Sequence, residues 1–223
     1  HSTMRKKKRL ITLKRLAFLS IAMVMFAGVS ISFAPTRDVI ISTFNFLRPL
    51  SLVGGGDSCL QNLESRGVSF ASVAEFSDGS CGIKNPVKIS RFSSTELNGA
   101  VLLSCPTAII VDNWLVSIQA KQIKHMGSYN CRRQRNNGLM SEHSYGTAID
   151  VAVIDGAILT RDWGKASDHG KTLNNAYENA CKLFSNIITP DDNALHHDHF
   201  HLDTGFGFGC FLKPFRQSLN QFF

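Results

Sequence analysis

Hydrophobic and polar positions alternate with three different rhythms along this chain. From Leu16 to Thr36 there is no charge across 21 residues, and Leu, Ile, Val, Met, Phe and Ala dominate. A helix of a soluble domain would show a polar stripe, so this run, together with its basic flank, predicts a helix that stays in a membrane. Further along, Leu60 to Arg66 predicts a short helix ended by Gly67, while Val68 to Phe76 and Val87 to Phe92 have the apolar, β-rich make-up of strands. Glu96 to about Cys105 and Thr107 to Ala120 predict two helical pieces parted by Pro106, with Trp114 in the core, because proline cannot donate a hydrogen bond inside a helix. Leu173, Tyr177, Ala180, Cys181 and Phe184 recur at helical spacing and predict an amphipathic helix over Lys171 to Asn186.

The third rhythm has a period of two. Ala148 to Val153 predicts a strand with Ile149, Val151 and Val153 on the core side and Ala148, Asp150 and Ala152 on the other. His199 to Asp203 predicts a second, with His199, His201 and Asp203 on one face and Phe200 and Leu202 behind them. If these two strands pair, Asp150 and His201 meet. With no internal repeat, and with strands and helices that do not strictly alternate, the expected fold is α+β: a small antiparallel sheet carrying the chemistry, flanked by helices.

Charge sharpens the picture of the N-terminus. Arg5, Lys6, Lys7, Lys8, Arg9, Lys14 and Arg15 precede every acidic residue. Removing these seven from the 24 basic residues leaves as many as the 17 acidic ones, so the net +7 belongs to the N-terminal stub and the rest is neutral. A neutral domain argues against a nucleic-acid partner. A basic flank before an apolar run places the flank in the cytoplasm and exports the downstream chain. Ser32-Phe33-Ala34 resembles a cleavage site, but Pro35 would obstruct processing, so a retained anchor is expected. The protein would then sit in the inner membrane with a single span and a periplasmic domain; cleavage would leave the same domain in the periplasm. The expected organisation is residues 1–3 foreign to the natural chain before Met4, 4–36 cytoplasmic stub and anchor or signal segment, 37–56 linker closed by Gly54, Gly55 and Gly56, and 57–223 folded domain.

Cysteine usage agrees with export. Cys59, Cys81, Cys105, Cys131, Cys181 and Cys210 all lie beyond the apolar run, and their even number predicts three disulfides. Six cysteines permit about 15 pairings and the sequence does not choose among them, though the short separation of Cys59 and Cys81 allows a local bridge. No C-x-x-C pair occurs, which argues against a thiolate zinc site.

Five of the eight histidines fall in two segments, Ser141 to Asp150 and His196 to Asp203. A histidine with a carboxylate seven residues on, plus a distant His-x-His, offers nitrogen and oxygen ligands of the kind found in open catalytic zinc sites. Gly146 would let the loop before the first strand turn tightly enough to bring in His143. His125 and His169 lack such a context and read as ordinary, as do solvated Arg133 and Arg135. His197 reads as a non-ligand, and Asp203 as either a partner fixing a histidine tautomer or a structural residue.

The pattern S-x-H-x-x-G-x-A-x-D over Ser141 to Asp150, with the late His-x-His, resembles zinc peptidases of the D-alanyl-D-alanine peptidase, lysostaphin and Hedgehog superfamily. The resemblance is closest to the bacterial extensin-like C-terminal domain family. It is carried by Tyr129-x-Cys131-Arg132, Ser141-Glu142-His143, Ala148-Ile149-Asp150, Asp162-Trp163, Ala180-Cys181 and His196-x-Asp198-His199-Phe200-His201-Leu202-Asp203, and covers roughly Cys59 to Asp203. It implies a zinc ion held by His143, Asp150 and His201, and peptidoglycan stem peptides as substrate. The spacing His196-x-x-His199-x-His201 is similar to that of murein endopeptidases, in which the middle histidine works on the attacking water. In the carboxypeptidase branch a glutamate three residues before the last ligand does this, and Asp198 stands there instead. Strand alternation favours His199 over Asp198 as the base. The resemblance also implies a role for His196 in orienting the water or stabilising the oxyanion, and for Arg132 in binding a carboxylate or developing charge. The expected activity is hydrolysis of peptide crosslinks; the alternatives are a D,D-carboxypeptidase on the same stem peptides and a non-catalytic, zinc-bearing wall-binding module.

Overall fold

The computed structural model describes residues 56–135, 138–207 and 210. The expected anchor or signal segment, the expected linker as far as Gly55, and residues 211–223 lie outside these. Among the described residues no helix is long and apolar enough to cross a membrane.

The chain first forms helix α1 (Gly56–Ser65), which gives way at Gly67 to strand β1 (Ser69–Ser72). A hairpin comes next, β2 (Phe76–Asp78) and β3 (Cys81–Ile83), forming a separate two-stranded sheet. Val68 to Phe76 is thus two strands in two sheets, where the composition predicted one. Pairing of β1 with the later strand Pro86–Arg91 ends at Ser72, and Phe76 to Asp78 pair instead with β3 through the tight turn at Gly79-Ser80.

β4 (Pro86–Arg91) and β5 (Glu96–Ser104) pair antiparallel. The latter corrects the expectation of a helix over Glu96 to Cys105. Val101 and Leu103 are fully buried, and the strand is held between β4 on one side and β6 (Gln122–Gly127) on the other. That two-sided ladder outweighs the helical preference of a few leucines.

Helix α2 (Cys105–Ser117) starts at once, capped by the Ser104 hydroxyl, which accepts from the Thr107 amide. Pro106 therefore does not separate two helices. It sits in the first turn of one, where its missing N–H is no loss. Cys105, Ala108, Val111, Trp114 and Leu115 are fully buried, and the Trp114 indole donates to the Ala176 carbonyl at 2.9 Å. The helix carries the chain from β5 to a parallel β6, so the main sheet is mixed, not purely antiparallel, and larger than expected.

Its eight strands run β1-β4-β5-β6-β7-β10-β9, with β7 (Ala148–Ile154), β9 (Asn186–Ile188) and β10 (Phe200–Asp203) completing that order and β8 (Ala157–Ile158) pairing β7. Asp155-Gly156, both at positive φ, make the two-residue turn from β7 to β8. A short helix α3 (Leu159–Asp162) leads to α4 (Asp168–Leu183), capped by Ser167 and burying Leu173, Ala176 and Ala180. It stops before Asn186, short of the predicted end, because Asn186 to Ile188 is claimed by pairing with β10.

Val87, Ile89, Val101, Leu103, Ile123, Ile149, Val151, Phe200 and Leu202 share one core with residues of α2 and α4. Val153 is only half-buried, and Ile154 takes the core place expected of it, after register shifts in the β6–β7 ladder. Three disulfides staple the fold: Cys59–Cys105, Cys81–Cys131 and Cys181–Cys210. The local Cys59–Cys81 bridge does not form, since the β2–β3 hairpin turns Cys81 toward the segment after β6.

Candidate metal centre

The polar face of the sheet gathers its histidines where β7 meets β10. The two strands pair antiparallel with His201 directly opposite Asp150, as the alternating pattern predicts. His143 arrives from a single 3-10 turn, Glu142–Tyr145, closed by Gly146 at φ 63°. Any side chain on Gly146 would meet Ile83 Cδ1 at 2.5 Å, so glycine is needed here both for its backbone conformation and for its size.

One ligand atom each from His143, Asp150 and His201 lies within 4.8 Å of the others. His143 Nε2 is 3.1 Å from Asp150 Oδ2 and 3.2 Å from His201 Nδ1, which is 2.9 Å from Asp150 Oδ1. The far sides of both rings are committed. His143 Nδ1 bonds the Ser128 carbonyl, and His201 Nε2 lies 3.1 Å from Asp203 Oδ2. Asp203 is fixed in turn through its Oδ1, which accepts from the Asn186 amide group and the Gly205 backbone N–H. With these outer acceptors engaged, His143 turns Nε2 and His201 turns Nδ1 inward onto the two oxygens of Asp150, so four ligand atoms converge. Such a convergence needs a cation, and the donor set of two imidazoles and one carboxylate fits a divalent transition metal.

Electrostatics point the same way. Burial opposes charge on Asp150, but hydrogen bonds and charge from His143 and His201 hold its carboxyl well below the usual range. Burial likewise disfavours charge on His201, yet the Asp150 and Asp203 carboxylates raise it to about 9. A proton on Nδ1 is the simplest positive charge for this cluster, and a metal ion is the stronger one.

Around the triad the second histidine group stands in order. His199 precedes β10 and turns Nε2 toward the site, 3.6 Å from Asp150 Oδ1, while its Nδ1 donates to Asp198 Oδ1 at 2.7 Å. Asp198 is therefore behind His199, and that bond holds its carboxyl below its ordinary value. His196 lies against both neighbours, its ring centroid 5.0 Å from that of His199 and 5.7 Å from that of His201. Burial, followed by the nearby His201 and His199, pushes it down to about 4, so the ring is neutral.

Not every expected residue joins them. Arg132 is exposed, and its tie to the site is made by its backbone: its N–H donates to the Ser144 hydroxyl, which donates to its carbonyl. His197 is exposed and bonds the Ala194 carbonyl. His125 bonds the Gly99 carbonyl, and His169 stands beside Arg161 and Asp162, away from the cluster. Sequence reasoning missed Ser128, Asn193 and Asn186. Ser128 acts through a backbone carbonyl, which leaves no trace in side-chain identity, and a lone asparagine has no spacing to mark it.

Fold and site together define an α+β, disulfide-stapled domain with a His-Asp-His triad at a strand junction whose ligand atoms could hold a metal ion. The chain belongs to the family described as Extensin-like protein C-terminus, whose model matches residues 57–210. No curated protein and no solved structure matches it.

Proposed function

We propose that this chain is a zinc-dependent peptidoglycan hydrolase that cuts the peptide crosslinks of the cell wall, a murein endopeptidase anchored in the inner membrane with its domain in the periplasm. We place it in the D-alanyl-D-alanine peptidase, lysostaphin and Hedgehog superfamily. The observation that carries the reading is the orientation of His199: Nε2 lies 3.6 Å from Asp150 Oδ1, and Nδ1 is held from behind by Asp198. Mere binding of an ion requires no such dyad.

Zinc suits the three donors. Their 2.9–3.2 Å separations are near the ~3.3 Å that tetrahedral bonds of ~2.0 Å impose. When bound, the ion would acidify water and polarise the scissile carbonyl. His143, Asp150 and His201 hold it, and Ser128 and Asp203 keep the two imidazoles facing inward. His199 Nε2 takes the proton of the attacking water and returns it to the departing amine nitrogen. Asp198 fixes the ring that does so and offsets its positive charge. Arg132, exposed at the edge, binds a carboxylate of the stem peptide.

The test uses the zinc-loaded full chain and defined crosslinked muropeptides, with products read by mass spectrometry. Chelator-sensitive cleavage of the crosslink is expected, and His199→Ala should lose roughly 10²-fold or more in rate, Asp198→Ala less. Release of only a terminal D-alanine would make the protein a carboxypeptidase. Retention on sacculi without any product would make it a binding module, and full activity in His199→Ala would remove the base assigned here.

A further inference from the structure

Asn193 caps the 3-10 turn Ala194–His196. Its Oδ1 lies 3.0 Å from the Leu195 backbone nitrogen, and that nitrogen can only donate. The amide is therefore oriented with its oxygen toward the turn. The same oxygen is 2.7 Å from His196 Nδ1. A carbonyl oxygen has no proton to give, so the proton of this hydrogen bond belongs to the ring.

From this we infer that Asn193 is a positioning residue that locks the neutral His196 ring as the Nδ1–H tautomer and leaves Nε2 as a hydrogen-bond acceptor. His196 then cannot donate to an oxyanion. It does the opposite, accepting from an O–H or N–H that enters the site. Asp198 imposes the same tautomer on His199, so two neighbouring rings, tilted by 54°, present acceptors of the same kind. One water has two O–H bonds. One is directed to His199, which removes its proton, and the other to His196, which sets the water's orientation. This catalytic role rests on the hydrolase reading above; the tautomer does not.

The zinc-loaded full chain, labelled with 15N-histidine, tests both by long-range proton–nitrogen NMR, with His196 assigned by loss of its signals in His196→Gln. The wild type is expected to show a protonated Nδ1 and a bare Nε2 at His196. Asn193→Ala should shift the ring toward Nε2–H and lower kcat on a crosslinked muropeptide roughly tenfold to a hundredfold with KM little changed. Asn193→Asp, which keeps an acceptor oxygen, should restore the tautomer and most of the rate. A protonated Nε2 in the wild type, or an Asn193→Ala spectrum identical to it, overturns the inference. The expected spectra from a chain that cleaves nothing would uphold the tautomer and remove the hydrolase reading.

Discussion

His201 is the residue on which the chemistry of the site balances, because it stands between two carboxylates. With no ion bound it keeps a proton up to about pH 9, held there against burial by Asp150 and Asp203. A metal must displace that proton from Nδ1. Below about pH 9 protons compete with the metal, so affinity rises with pH by about tenfold per unit and levels off above it. Calorimetry of zinc uptake in buffers of different ionisation enthalpy should find about one proton released per ion near neutral pH. Asp203→Asn weakens the hold on the Nε2 proton and removes a negative charge behind the ring. Its zinc affinity should fall roughly tenfold to a hundredfold, and the proton release with it.

At the scale of elements, the segment Ser128 to Arg132 after β6 does more than connect. Besides offering the Ser128 carbonyl to His143, it clasps the 3-10 turn: the Asn130 amide donates to the His143 carbonyl, and the buried Ser144 hydroxyl reaches the carbonyls of Asn130 and Arg132. Cys131, between those two residues, is bolted to β3 through Cys81. Cys81→Ser/Cys131→Ser should therefore weaken metal binding about tenfold in protein that circular dichroism shows to be folded. Breaking Cys181–Cys210, which ties α4 to the segment after β10, should leave metal binding unchanged while costing about 3 kcal/mol of stability. These elements differ in how openly the sequence declares them. β7 and β10 were legible because large apolar residues alternate in each with small or polar ones, and that alternation also predicted the meeting of Asp150 with His201 if the strands pair. β5 was not, since its pairing on both sides is a tertiary fact that Glu96 to Ser104 does not advertise. β6 was missed altogether, with Lys124 and His125 interrupting its apolar positions. Spacing and residue type offered ligands of the right kind and the family resemblance singled out His143, Asp150 and His201, but the Ser128 carbonyl and the Asn193 cap were not legible, because neither leaves a mark in the sequence pattern.

For the molecule as a whole, the site joins residues from Ser128 to Asp203 across β6, β7 and β10, and the core beneath it reaches back to α1 through Cys59 and Leu63. Such long-range pairing makes folding slow and leaves thiols exposed to the wrong partners meanwhile. The Cys59–Cys105 and Cys81–Cys131 spans overlap, so neither bridge joins cysteines adjacent in the sequence. An oxidant acting on a chain as it emerges would join Cys59 to Cys81 and Cys105 to Cys131. Refolding with an oxidant but no reshuffling thiol should trap that species, visible as those two linkages in peptide mapping, and added thiol should release it. Where that species forms, the native site waits on bond rearrangement: Cys131 held to Cys105 is parted from β3, and the segment that presents the Ser128 carbonyl to His143 loses its anchor.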